Sequence, residues 1–148
     1  MDHTKCSDAM RLENQPCFPL YAASREVIKR YRPYLEAMGL TYTQYVVLLV
    51  IWEERTISVR DLGKRLYLDS GTLTPVLKTL EKMGVIIRRR SAQDERVLLV
   101  TITEAGLALR DKAIDVPKAV AGCVNLEAEE AATLYRLLYK VLASSEEA

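Results

Sequence analysis

Apolar positions along the chain recur at helical spacing over most of its length, and strand-like runs interrupt them in only three short places. A first helix is predicted from near Asn14, carrying Leu20, Val27, Ile28 and Leu35, with Pro33 bending or dividing it before Gly39 ends the stretch. From about Thr43 a second helix holds Tyr45, Val46, Leu48, Leu49, Val50, Ile51 and Trp52; almost no polar face is left, so this helix is predicted to be buried. Ile57-Ser58-Val59 is short and β-branched, after which Val59, Leu62 and Leu66 return to helical spacing as far as a tight turn at Leu68-Asp69-Ser70-Gly71. Beyond it Leu73, Val76, Leu77 and Leu80 make one apolar stripe, Thr72, Thr74, Lys78, Thr79 and Lys82 project elsewhere, and Gly84 stops the helix. Pro75 either falls in the first turn, where its missing N–H is harmless, or kinks the helix start, and the pattern leaves both open. Two β-prone runs, 85–90 and 96–102, are joined by the polar loop 91–95 as a hairpin. Thr103 is placed to cap a helix running towards Pro117, and a last helix from about Leu126 carries Leu134, Leu137, Leu138, Val141 and Leu142.

The order α-α-β-α-α-β-β-α-α describes a mainly α fold with a small β-wing. No repeat or linker divides it, and 148 residues with 49% hydrophobic composition suffice for one compact domain, 1–148, though hardly for two cores. The first and last helices offer apolar faces beyond what a small core needs, which predicts a homodimer built from 12–42 and 103–146 around a central lobe, 43–102. No run of 18 apolar residues occurs and the N-terminus is polar, so neither a membrane span nor a secretory signal is expected, and the protein is placed in the cytoplasm. Cysteines at 6, 17 and 123 match neither a disulfide framework nor a zinc-binding spacing; a reducing compartment would keep them as thiols able to react. Neither a metal nor a cofactor is expected.

A net charge of +1 hides an asymmetry. Between Lys78 and Arg96 six basic residues face three acidic ones, whereas from Glu127 onwards five glutamates oppose Arg136 and Lys140. Such a run is otherwise a solvated face, but here it coincides with a helix, a turn, a second helix with hydroxyls and amines outward, and a basic hairpin. That is the order of a winged helix-turn-helix bound to double-stranded DNA. Thr72, Thr74 and Lys78, with Ser70 and Pro75 at the same helix start, are predicted to meet the major groove, and Lys82 to meet phosphate. Arg88, Arg89 and Arg90 are predicted to approach phosphates from the strand. Asp94 lies two residues before Arg96 on the same side of an extended segment, and so could hold that arginine for the minor groove. Seen alone, this would be a surface pair of little energetic worth.

The segment Leu66-Tyr67-Leu68-Asp69-Ser70-Gly71-Thr72-Leu73-Thr74-Pro75, followed by Lys78 and by Asp94-Glu95-Arg96, resembles the MarR family of winged-helix repressors, in particular its organic-hydroperoxide-sensing branch. The resemblance runs from about Leu12 to the final helix and implies a homodimer on a pseudopalindromic operator.

Cys17, in Asn14-Gln15-Pro16-Cys17-Phe18, lies near the first turn of the first helix, where free N–H groups and the macrodipole favour a thiolate. Tyr21 stands one turn on, and eight tyrosines against one phenylalanine suggest that hydroxyls are wanted. Taken alone, a cysteine beside an apolar helix is more often inert packing. The segment Cys17-Phe18-Pro19-Leu20-Tyr21-Ala22-Ala23-Ser24-Arg25 is similar to the family's sensing segment, except that Pro19 replaces an alanine. By that resemblance Cys17 is the redox sensor, oxidised by organic hydroperoxide to a sulfenic acid, with Tyr31 and Tyr42 reaching it from the other subunit. Cys123 takes the place of a resolving thiol that closes an intersubunit disulfide; a single-cysteine mechanism capped by a small thiol is the other arrangement the resemblance allows. Cys6, in the tail, is assigned no role.

An enzyme would have to work without CxxC, HExxH, GxSxG or a phosphate loop, and the lone histidine, His3, lies in the polar tail, so no catalytic site is expected. Two other functions are compatible with the pattern. One is release of DNA by a small phenolic ligand with passive cysteines; the other is a winged helix that binds protein rather than DNA.

Overall fold

The computed structural model describes residues 8–122 and 124–145. After a 3-10 turn at Leu12–Asn14 come helices α1 (Cys17–Glu36) and α2 (Tyr42–Glu54), strand β1 (Thr56–Ser58), helices α3 (Val59–Leu66) and α4 (Ser70–Lys82), and strands β2 (Ile86–Arg90) and β3 (Leu98–Ile102). Helices α5 (Glu104–Ala113), α6 (Val116–Ala121) and α7 (Ala128–Ser145) complete the chain.

The most apolar segment becomes the centre. Helix α2 buries Tyr45, Val47, Leu48, Val50, Ile51 and Trp52, and α3, α4 and the sheet cover it with Leu62, Leu73, Leu77, Leu80, Ile86 and Val100. The sheet is antiparallel in the order β1-β3-β2, so β3 is central and its Val100 faces Ile57 on one side and Arg88 on the other. Helix starts are set locally by side-chain caps. Thr41 and Gln44 form a reciprocal capping box on α2, and Ser58, Asp69 and Thr103 accept from the N–H groups of Asp61, Thr72 and Gly106 at the starts of α3, α4 and α5.

Three expectations about the helices are corrected. The first helix starts at Cys17 rather than near Asn14, because Pro16 has no N–H to continue a helix from behind and forces Gln15 into extended backbone. Pro33 does not divide it: the residue lies on the exposed side, where the carbonyl of Lys29 that loses its partner can be solvated. The helix expected to run towards Pro117 ends at Ala113, and Pro117 sits in the first turn of an extra helix, α6, a position that needs no N–H.

The terminal helices leave their apolar faces uncovered. Helix α1 buries only Leu35, while Phe18, Leu20 and Ile28 stay exposed, as do Leu134, Leu137 and Val141 of α7.

One close backbone approach locks the C-terminal half to the sheet. A Cβ on Gly106 would run into the carbonyl oxygen of Val85 and the side chain of Ile102, and the Gly106 carbonyl accepts a hydrogen bond of 2.8 Å from the buried indole N–H of Trp52. Gly106→Ala is therefore expected to lower stability by about 3 kcal/mol, read as a drop in thermal midpoint; an unchanged midpoint would mean that α5 can shift away from the sheet freely.

Candidate functional site

The turn between α3 and α4 is only three residues long, and two backbone features permit it. Tyr67 takes the left-handed conformation (φ 54°) that closes α3, and Gly63 has no side chain where a Cβ would lie 2.6 Å from the carbonyl oxygen of Leu68. Gly71, assigned to the turn from sequence, is already the second residue of α4. The glycine that the turn needs is Gly63, one helix earlier.

Asp69 fixes the start of α4. Its carboxylate accepts from the Thr72 N–H at 2.7 Å, and this bond, ahead of the remaining contacts to Thr72 and Gly71, holds Asp69 below its ordinary pKa. Leu73, Leu77 and Leu80 face the core, which turns Ser70, Thr72, Thr74, Pro75, Lys78 and Lys82 outward together. Pro75 is the sixth helical residue, beyond the first turn, and the helix runs through it. The hydroxyls of Thr74 and Thr79 donate to the carbonyls of Ser70 and Pro75 at 2.7 and 3.0 Å, leaving their oxygens available as acceptors.

Beside this helix lies an open groove of about 610 Å³ whose lining includes Arg60, Lys64, Tyr67, Asp69 and Ser70. Arg60 and Lys64 were missed from sequence, although their i, i+4 spacing on the helix before the turn was the available signal: the first helix of such a pair crosses the DNA backbone.

In the wing the Asp94–Arg96 pair forms, but in a turn rather than an extended segment: β3 begins at Leu98, not Arg96, and the Val97 N–H returns to the Asp94 carbonyl at 2.9 Å. Both carboxylate oxygens accept from the guanidinium, at 3.0 and 3.2 Å, and the Arg96 N–H adds a third bond at 3.0 Å. Bonding to Arg96 holds Asp94 below its usual pKa. The Arg96 side chain is 91% exposed, so it is oriented without being covered. Arg90 and Arg89 are exposed at the outer end of β2. Arg88 departs from expectation: its guanidinium turns inward to Glu81 of α4 at 2.7 and 3.1 Å, and its side chain is 19% exposed. The alternation of β2 explains this, since Ile86 and Arg88 share the face that packs on α4.

Cys17 is exposed as the first residue of α1. Tyr31 and Tyr42 meet edge to face with ring centroids 4.9 Å apart, and Tyr45, read from sequence only as core, closes the cluster at 5.9 and 6.4 Å from them. The i, i+3 spacing of Tyr42 and Tyr45 was the signal for it. Burial, and then the neighbouring phenols, push Tyr42 and Tyr45 above the usual tyrosine range, so both stay protonated hydrogen-bond donors. Tyr31 lies fourteen helical positions beyond Cys17, about 21 Å along the axis, so the phenols cannot reach the thiol of their own chain. Tyr21, one turn from Cys17, instead accepts a 3.2 Å hydrogen bond from Arg25. Cys123 lies outside the described residues. Among the described residues no helix is long and apolar enough to cross a membrane, and no cluster of side chains could hold a metal ion.

These features define a winged helix-turn-helix DNA-binding protein. The model of the transcriptional regulator SarA/Rot family matches residues 29–112. The chain is 48% identical, over 91% of its length and 92% of the relative's, to the organic hydroperoxide resistance transcriptional regulator of Bacillus subtilis (strain 168). Among solved structures it is similar to reduced AbfR bound to DNA, with 35% identity, a TM-score of 0.77 and coverage of 95% of this chain and 96% of that one. AbfR is a Staphylococcus epidermidis protein, also solved in an overoxidised form bound to DNA (36% identity, TM-score 0.75, coverage 93% and 97%) and a disulfide-formed state (34%, 0.66, 97% and 98%). A mutant of Escherichia coli MarR, complexed with operator DNA, matches at 31% identity and a TM-score of 0.75 over 88% of this chain and 96% of that one. The chain belongs to the MarR family of winged-helix transcriptional regulators, and it is a DNA-binding regulator rather than an enzyme.

Because the folded pKa of Asp69 is lowered, the stability its charge contributes is present above the ordinary value of 3.8 and is lost as pH falls through the folded value. The thermal midpoint of Asp69→Asn is expected to lie below that of the native protein near neutrality, and the two should converge in strong acid; a gap that persists there would mean that the charge is not what caps α4.

Proposed function

We propose that this regulator is a cytoplasmic homodimeric repressor that leaves a pseudopalindromic operator when organic hydroperoxide oxidises Cys17. The observation that carries this is the separation of the exposed thiol at the start of α1 from a cluster of phenols formed by Tyr31, towards the other end of that helix, with Tyr42 and Tyr45 of α2. The sensor is complete only when Tyr31 and Tyr42 of one subunit approach Cys17 of the other. The uncovered apolar faces of α1 and α7 supply the surface for that dimer.

The chemistry balances simply. The Cys17 thiolate attacks one peroxide oxygen, the O–O bond breaks, an alcohol leaves after protonation, and the sulfur becomes a sulfenic acid. The thiol of Cys123 in the partner subunit then attacks that sulfur, water leaves, and a disulfide closes. Overoxidised AbfR is itself seen on DNA, whereas disulfide-formed AbfR is a separate form. Oxygen atoms on sulfur are thus compatible with DNA binding in that relative, and in this reading the cross-link is the state that moves the helices and releases DNA. On the DNA side, Thr72, Thr74 and Lys78 of α4 enter the major groove and Arg96 the minor groove. Ser70, Pro75, Lys82 and Arg90 complete the surface, joined by Arg60 and Lys64 at the phosphates.

A second reading has one observation in its favour. An open pocket of about 360 Å³ between α2 and α5–α6, lined by Tyr45, Leu49, Trp52, Glu53, Arg110 and Ile114 among others, combines aromatic walls with one acid and one base suited to a phenolic ligand. Release by such a ligand would survive Cys17→Ser.

One equivalent of an organic hydroperoxide is expected to weaken operator binding about tenfold or more and to give a covalent dimer on a non-reducing gel. Cys17→Ser should abolish both effects, Cys123→Ser the dimer, and Cys6→Ser neither. An unmodified Cys17 would end the peroxide proposal; an oxidised Cys17 without a dimer would leave the single-cysteine form. Arg96→Ala is expected to weaken binding of reduced protein about tenfold, and a null result would remove the wing from the DNA contact.

A further inference from the structure

The wing is attached to the recognition helix by a short link. Helix α4 ends at Lys82, Gly84 turns the chain at φ +77°, and the Val85 N–H returns to the Leu80 carbonyl at 3.2 Å. Val85 and Ile86 are buried, but Ile87 is exposed, and beyond it β2 carries only arginines. Arg88 is therefore the outermost point at which β2 touches the lobe.

What it touches is Glu81, in the last turn of α4. One Glu81 oxygen accepts from the Arg88 backbone N–H at 3.1 Å, and the other accepts from Nε at 3.1 Å and Nη2 at 2.7 Å. A carboxylate bound at once by a guanidinium fork and by the main chain of the same residue fixes both the side chain and the strand that bears it. Bonding to Arg88 accordingly holds Glu81 below the ordinary carboxylate range. The contact is half-sheltered, with the two side chains 19% and 38% exposed, so it is less screened than the open surface pairs. Further out on the same face, Arg90 bonds the Arg96 carbonyl at 3.4 Å, and Asp94 orients Arg96.

We propose that Glu81 and Arg88 are positioning residues for operator recognition, a brace that holds the wing at a fixed angle to α4 so that major-groove and minor-groove contacts are made together. Arg88 is thus no phosphate contact. This rests on α4 and the wing being the DNA-reading surface, as proposed above.

The alternative, in which Glu81 merely masks a phosphate-binding arginine, predicts the opposite sign for one substitution. Glu81→Gln would then free a cation, tighten operator binding and steepen its salt dependence by about one counterion. A brace predicts about tenfold weaker binding with the salt slope unchanged. Reduced dimer would be titrated with operator DNA at several salt concentrations, at a temperature where thermal melts show every variant folded. Should Glu81→Gln fail to fold, Arg88→Lys decides, because lysine keeps the charge for a phosphate but cannot make the fork. Weakened binding at an unchanged slope supports the brace; unchanged or tighter binding overturns it. Lys78→Ala is measured alongside: a loss there, with none at Glu81→Gln, rejects the brace alone, whereas no loss at Lys78→Ala rejects the DNA-reading surface itself.

Discussion

Helix α2 is apolar over most of its surface, and the rest of the lobe is arranged to cover it, leaving only Leu49 and the terminal Glu53 and Glu54 exposed. Leu62 of α3, Leu73 and Leu77 of α4, Ile86 of β2 and Val100 of β3 converge on its buried side chains. Trp52 reaches the backbone of α5, where Gly106 lets the helix sit directly against the strand region. Once α2 is enclosed, the outer face of α4 has little freedom. Its leucines are committed inward, so its hydroxyls and Lys78 must face out. The surface proposed to read DNA is in this sense a by-product of covering one apolar helix.

The same arrangement leaves α1 and α7 over. Phe18, Leu20 and Ile28 of α1 and Leu134, Leu137 and Val141 of α7 remain exposed, while the buried core gathers around α2 and takes from α1 only Leu35. A second copy is the natural cover. It would also bring a thiol at one end of α1 to phenols at the other end of its partner's, a meeting that helix geometry forbids within one chain. Dimerisation and redox sensing would then share a single constraint, and oxidation could act on the recognition helices only through the helices that pair the subunits.

Charge is managed differently in the two halves of the reading surface. At the base of the wing a carboxylate consumes an arginine to fix an angle, and at its tip another carboxylate orients an arginine while leaving it exposed. Counting basic residues along 78–96 therefore overstates the number of exposed cations, and it overlooks Arg60 and Lys64, which lie outside that stretch but border the groove beside α4.

Local patterns in the sequence were enough for the order of elements as far as the helix after Thr103, the largely buried second helix, the Thr103 cap, the hairpin and the Asp94–Arg96 pair, but not for the extra helix α6 or the Asp69 cap. Each depends on residues within a few positions of one another, whose periodicity or hydrogen bonding is set by nearby backbone. Tertiary structure decided what depends on residues brought together from afar. Arg88 looked like its neighbours until α4 set Glu81 against it. Gly71 drew attention as the turn glycine, although the turn, folding back on α3 to bring the Leu68 carbonyl against it, required Gly63. Tyr45 read as core and emerged as part of a phenol cluster with Tyr31, on another helix. Pro33 and Pro117 carried a helix-breaking signal whose outcome depended on solvent exposure and on position within a turn. Sequence specifies which groups want burial, a partner or a cap; only the packed fold determines which group answers each demand, because that choice is made by distance and not by order along the chain.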